Sequence, residues 1–270
     1  MQKFFKNYTG IAIITAVVLD LVIYEIVWQI IKICQLSFGT TNAAFFFREI
    51  ITKVIPTFLI AFLLGTTDSL KNPFKDLGNS LLSGALILAI SIFGTVVTIV
   101  NAIEDSDKFK SAIEIVFYVC FVLMIGLSEE LLIRGTVTRL IIDRLGREGK
   151  GAVLSVALGA MIFGIYHFPN FFWNGNLEAT LSQVLANTMF GLLMCAVYVK
   201  WGNLLGMIIL HAALDFMTLS SYGLIAGKSI ADITSRSGGN LRQTIISNSV
   251  FVIAAIVVMI HKKKRPQTEG

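Results

Sequence analysis

The chain has 270 residues, of which 55% are hydrophobic and only 14% charged, where a soluble domain averages about 25% charged. That balance excludes a soluble globular enzyme and leaves no room for a separate soluble domain beside the membrane segments. The formal net charge of +5 reads as topology signal and contact with anionic lipid, so no nucleic-acid partner is needed to explain it.

Apolar runs of the length needed to cross a hydrocarbon core recur along the whole sequence, about eight in all. In chain order they are 10–34, 51–65, 81–103, 113–132, 151–168, 181–199, 204–219 and 244–260. The first follows Lys3 and Lys6 but is too long for a signal peptide and lacks a small-residue cleavage site, so it is read as a retained helix. It contains Asp20 and Glu25, expected as interhelical hydrogen-bonding or interfacial groups. The second is short and contains Pro56, and the seventh carries His211 and Asp215. The polar breaks between spans read as loops within one transmembrane domain covering 1–270, with a basic tail from His261 acting as a stop-transfer anchor. The expected fold is therefore all-α and polytopic, because alternating ten-residue barrel segments are absent and helices alone satisfy their own backbone in lipid.

Orientation follows from the 22 Lys and Arg residues. With the N-terminus in the cytoplasm, the cytoplasmic set comprises Lys3, Lys6, Lys71, Lys75, Arg134, Arg139, Arg144, Arg147, Lys150, Lys200, Lys262, Lys263, Lys264 and Arg265, leaving the smaller set Lys32, Arg48, Lys53, Lys108, Lys110, Lys228, Arg236 and Arg242. Both termini are expected in the cytoplasm. Cys34, Cys120 and Cys195 are odd in number and far apart in apolar sequence, which points to packing residues and away from a disulfide framework or zinc ribbon.

Against this apolar background a few polar residues stand out, since acids at membrane depth are costly and usually mark function or a buried pair. Glu130 and Arg134 are four apart on a helix with the acid N-terminal, the favourable orientation for an ion pair. Glu129 sits about 100° round the same helix, without a partner in its own helix and so free to act; desolvation would tune it toward a general base. The competing reading is that both acids snorkel into water with Arg134 and Arg139. Phe163 and His167 share a second helix face, and His211 and Asp215 a third. Three helices could thus converge on one polar cavity.

EELLIRG at 129–135, FGIYH at 163–167 and HAALD at 211–215 resemble the three motifs of the CAAX prenyl protease and bacteriocin-processing (Abi) family, in order and in helical setting. The similarity covers about residues 113–219, while the first three spans carry no family mark. It implies an intramembrane endopeptidase in which Glu129 and His167 activate a water, His211 and Asp215 form an oxyanion site, and Glu130, Arg134 and Phe163 orient the site or the substrate. Asp215 departs from the asparagine of the eukaryotic prenyl-protein enzyme: an ionised aspartate cannot donate a hydrogen bond, so it is either protonated, orients His211, or ligates a metal. No cofactor is favoured. Zinc is the alternative, with Glu129, His167, His211 and Asp215 as its ligands. The implied partners are a hydrophobic or lipid-associated peptide or membrane protein and the bilayer itself, in a bacterial plasma membrane; the sequence says nothing of oligomeric state. Competing classes are a proton-coupled transporter using Asp20 and Glu25, against which no matched pair of broken helices appears, and a non-catalytic immunity or scaffold protein.

Overall fold

The computed structural model describes residues 8–34, 39–235 and 240–261. Lys3, Lys6, Arg236, Lys262, Lys263, Lys264 and Arg265, which carry part of the orientation argument, lie outside the described residues, as does the tail beyond His261. The regular secondary structure of the described residues is all helical, with no strand and one isolated bridge between Phe109 and Ile225.

The helices run α1 (Thr9–Ile33), α2 (Asn42–Glu49), α3 (Ile55–Leu64), α4 (Leu77–Ser83), α5 (Ala85–Glu104), α6 (Ala112–Glu130), α7 (Arg139–Leu145), α8 (Gly149–Tyr166), α9 (Phe171–Asn174), α10 (Leu177–Trp201), α11 (Leu204–Leu224) and α12 (Leu241–Ile260). π-Helical runs over Ile50–Val54 and Leu131–Thr138 join α2 to α3 and α6 to α7 without a break. Among the described residues seven helices are long and apolar enough to cross a membrane: α1, α5, α6 through α7, α8 through α9, α10, α11 and α12. The protein is an integral, multi-pass membrane protein.

Two expected spans differ from their sequence reading. The second, expected over 51–65, is one part of a rod from Asn42 to Leu64 that begins where the Thr41 side chain accepts from Ala44 N. Arg48, Glu49 and Lys53 lie in its first half, so it is not among the seven apolar helices. The fourth, expected to stop at Leu132, continues to Leu145. Nothing between them breaks a helix except Gly135, and the chain stops only at Gly146, whose φ of 91° needs glycine. The residues from Leu131 to Thr138 are all buried, Arg134 among them, so Arg134 is not a cytoplasmic loop charge as the orientation count assumes.

Burial follows helical periodicity. On α1, Ile11, Ile14, Val18, Val22, Ile26 and Ile30 are exposed, while Ala12, Ala16 and Asp20 make a buried stripe at four-residue spacing. α10 packs between α8 and α12, and α11 packs on α6 and α5. α6 and α11 approach closely where Gly126 lies, since a Cβ there would stand 2.8 Å from the Ile208 carbonyl oxygen. Of the cysteines only Cys195 is buried; Cys34 is exposed and Cys120 half-buried, so Cys34 is not the packing residue expected, being at the end of α1.

Candidate functional site

The three motif-bearing helices meet just past the Gly126–Ile208 approach. One turn further along each helix, Glu130 on α6 and His211 on α11 come into contact, His211 Nδ1 standing 2.6 Å from Glu130 Oε1. The same oxygen accepts from Arg134 Nη1 at 2.8 Å. Glu130 and Arg134 are both fully buried, which overturns the reading of a solvated snorkelling cluster; Arg139 instead pairs with Asp143 at 3.2 Å. Arg134 also lies under the Phe163 ring, Cζ 4.4 Å from its centroid. A desolvated carboxylate with a guanidinium on one side and an imidazole on the other is a fixed anchor, because removing either neighbour would leave charge without compensation.

Glu129 points elsewhere. Its Oε2 is 3.8 Å from His167 Nε2 and 3.7 Å from His211 Nε2, and its side chain keeps 19% exposure where Glu130 has none. His167 follows the last residue of α8, and its Nδ1 stands 2.9 Å from the Phe163 carbonyl oxygen. A carbonyl only accepts, so Nδ1 carries a proton, and in the neutral ring the Nε2 lone pair faces Glu129. Phe163 completes the packing, edge-on to the His167 ring at 5.0 Å and to the His211 ring at 5.9 Å. Asp215 Oδ2 is 3.6 Å from His211 Nε2, beyond hydrogen-bond range, and this buried oxygen has no hydrogen-bond partner. The structure thus brings together all seven residues singled out in the sequence, with Glu129, His167, His211 and Asp215 around one small space and Glu130, Arg134 and Phe163 behind it.

Donor atoms of the four candidate zinc ligands lie 3.8 Å apart for Glu129–His167, 3.7 Å for Glu129–His211 and 3.6 Å for His211–Asp215, and among the described residues no group of three or more His, Cys, Asp or Glu side chains is found placed as a ligand set.

Other contributors were not singled out. Glu49 on α2 accepts from Ser128 Oγ at 3.2 Å, beside Glu129. Phe190 on α10 stands edge-on to His211 at 5.4 Å. Tyr166, next to His167, bonds to both Asp20 and Lys53. Asp20 is therefore an interhelical hydrogen-bonding group, and Glu25 accepts from Gln29 on its own helix. The signal that could have drawn attention to Glu49 and Lys53 was the same one that marked Glu129, charge inside an apolar segment.

Fold and site together define a multi-pass membrane protein with an acid–imidazole centre inside its helices. Residues 111–217, which hold every motif residue just described, match the family described as Type II CAAX prenyl endopeptidase Rce1-like, and this stretch carries the family domain. No curated protein and no solved structure matches the chain.

Proposed function

We propose that the protein is an intramembrane endopeptidase that hydrolyses a peptide bond in a hydrophobic or lipid-associated peptide or membrane protein, without a metal. The observation that carries the reading is Glu129, a carboxylate 3.8 Å from Nε2 of an imidazole that is anchored through Nδ1 to the Phe163 carbonyl oxygen. One water oxygen can hydrogen-bond both groups across that interval. Glu129 takes a proton from this water as it attacks the carbonyl carbon and returns it to the leaving amine, the work of a general acid–base pair. His167 Nε2 accepts the water's second hydrogen and so aims its lone pair.

On the other side of the space His211 meets the developing oxyanion. Its Nδ1–H is held by Glu130, so an Nε2–H points at the position where negative charge appears, provided the ring carries both protons. Asp215 donates beside it when protonated. The membrane lets such donors act in a dry, pre-set environment, where they are worth more than in water. The substrate is membrane-embedded, the enzyme sits in a bacterial plasma membrane with both termini in the cytoplasm, and the catalytic core is the 113–219 region.

The test compares membrane peptides from cells expressing the wild type with those from cells expressing Glu129→Gln. Products seen only with the wild type are expected, with loss of about 10²–10⁴-fold in purified Glu129→Gln, the usual share of a general base. Full activity in this variant ends the water-activation role. Activity that survives exhaustive chelation is the expected result; activity abolished and then restored by zinc would replace the metal-free mechanism with a metal-dependent one.

A further inference from the structure

We infer that Tyr166, clamped through its hydroxyl by Asp20 and Lys53, is the device that keeps His167 turned toward Glu129, which makes Tyr166 and Asp20 positioning residues. The catalytic consequence rests on the endopeptidase reading above, whereas the clamp itself rests on geometry alone.

His167 occupies a weak place for a working residue. It follows Tyr166 at the very end of α8, where the chain turns into the 3₁₀ run Phe168–Asn170, and helix ends fray. Its Nδ1 is anchored to the Phe163 carbonyl oxygen at 2.9 Å, and its ring meets both the Phe163 and the Tyr166 rings edge-on, at 5.0 and 5.6 Å. Phe163 is fully buried within the helix. Tyr166 is buried as well, at the last position of the helix, and its hydroxyl is tied twice: it donates to Asp20 Oδ2 at 2.6 Å and accepts from Lys53 Nζ at 2.6 Å.

The tie is closed on itself. Lys53 Nζ also reaches Asp20 Oδ2 at 3.2 Å, and Thr57 Oγ1 donates to Asp20 Oδ1 at 3.2 Å. Both oxygens of an aspartate that is 1% exposed are therefore occupied, and the groups come from α1, the first π-helical run and α3. A satisfied polar network of this kind holds a unique geometry. A buried ion pair is a poor source of net stability compared with apolar packing of the same shape, so what this one supplies is placement. Asp20, Lys53 and Thr57 all precede the matched stretch 111–217, and through Tyr166 the N-terminal helices brace the end of the helix that presents His167.

The experiment uses the full-length protein in detergent and diethyl pyrocarbonate, which acylates accessible imidazoles, with modification of each histidine read by mass spectrometry. Tyr166→Phe and Asp20→Asn are each expected to raise the rate at His167 severalfold, with His211 and the exposed His261 unchanged as internal references. Because one clamp is broken in either case, the double variant is expected to match the singles. Cleavage of the peptides found with the wild type is expected to fall in kcat with KM held, by about ten- to a hundredfold, the scale of a catalytic group displaced by an ångström or less. Monodisperse variants in which His167 reacts at the wild-type rate overturn the clamp. Loss of folding in both single variants also overturns it, since the network would then be a structural strut. Faster modification of His167 in a protein whose wild type cleaves nothing leaves the clamp standing and removes the endopeptidase reading.

Discussion

At the scale of single residues, the two adjacent glutamates differ by the roughly 100° that separates neighbours on a helix. Glu130 faces the interior and is compensated by Arg134 and His211, whereas Glu129 faces a space it shares with two imidazoles. Position on the helix decides which acid is structural and which can act. Arg134 is the side chain on which the buried arrangement depends most, being fully buried and one of two cationic or protonated neighbours of Glu130. Arg134→Met keeps the apolar stem but leaves Glu130 short of charge compensation, so a loss of about 3–5 kcal/mol is expected, the range for breaking a buried pair from one side. Adding Glu130→Gln to Arg134→Met should recover part of it. Unfolding of the detergent-solubilised variants followed by tryptophan fluorescence checks both; a single variant as stable as the wild type would mean that Glu130 is neutral or otherwise compensated.

At the scale of elements, the site depends on how closely α6 and α11 approach. Gly126 is the position where α6 meets the backbone of α11, and a methyl group there would press on the Ile208 carbonyl at 2.8 Å, an atom that cannot move aside as a flexible side chain could. Gly126→Ala is therefore expected to separate the two helices and lengthen the Glu130–His211 contact, at a cost of about 1–3 kcal/mol for overpacking. The measurement is the melting temperature together with cleavage rate: both should fall, and a variant with unchanged melting temperature would show that the helices tolerate the extra carbon. Elements also mark where the sequence was readable. The four-residue spacings Glu130–Arg134, Phe163–His167 and His211–Asp215 are local, so a helical face could be read directly from them. The π-helical runs were not legible, because apolar sequence such as LLIRGTVT suits an α- or a π-helix equally and tertiary packing selects. Neither was the Asp20–Tyr166 bond, which joins residues 146 apart in sequence. The rod from Asn42 to Leu64 was half hidden because its three charges lower local hydropathy, while in the fold Lys53 and Glu49 are turned to interior partners.

At the scale of the whole molecule, the way the bundle faces decides from which compartment a substrate peptide reaches Glu129. Part of the basic-residue argument for cytoplasmic termini weakens once Arg134 is taken from the count, because a guanidinium sealed inside the bundle is not available to hold a loop in the cytoplasm. Lys53 is likewise committed to Asp20 and Tyr166 and does not count against the orientation. The two changes fall on opposite sides of the ledger, and the remaining asymmetry places both termini inside only if the rod from Asn42 to Leu64 crosses the membrane in addition to the seven apolar helices. Under that orientation α1 runs outward, and Cys34 at its end faces the external side. Cys34 is exposed, Cys195 is buried, and Cys120 lies half-buried within α6 at membrane depth, so the chain carries its own topology probe. A membrane-impermeant maleimide applied to intact cells is expected to label the wild type once, at Cys34, and to leave Cys34→Ser unlabelled. Labelling that appears only after permeabilisation would place the end of α1 in the cytoplasm, invert every helix, and require the substrate to reach the acid–imidazole centre from the opposite face.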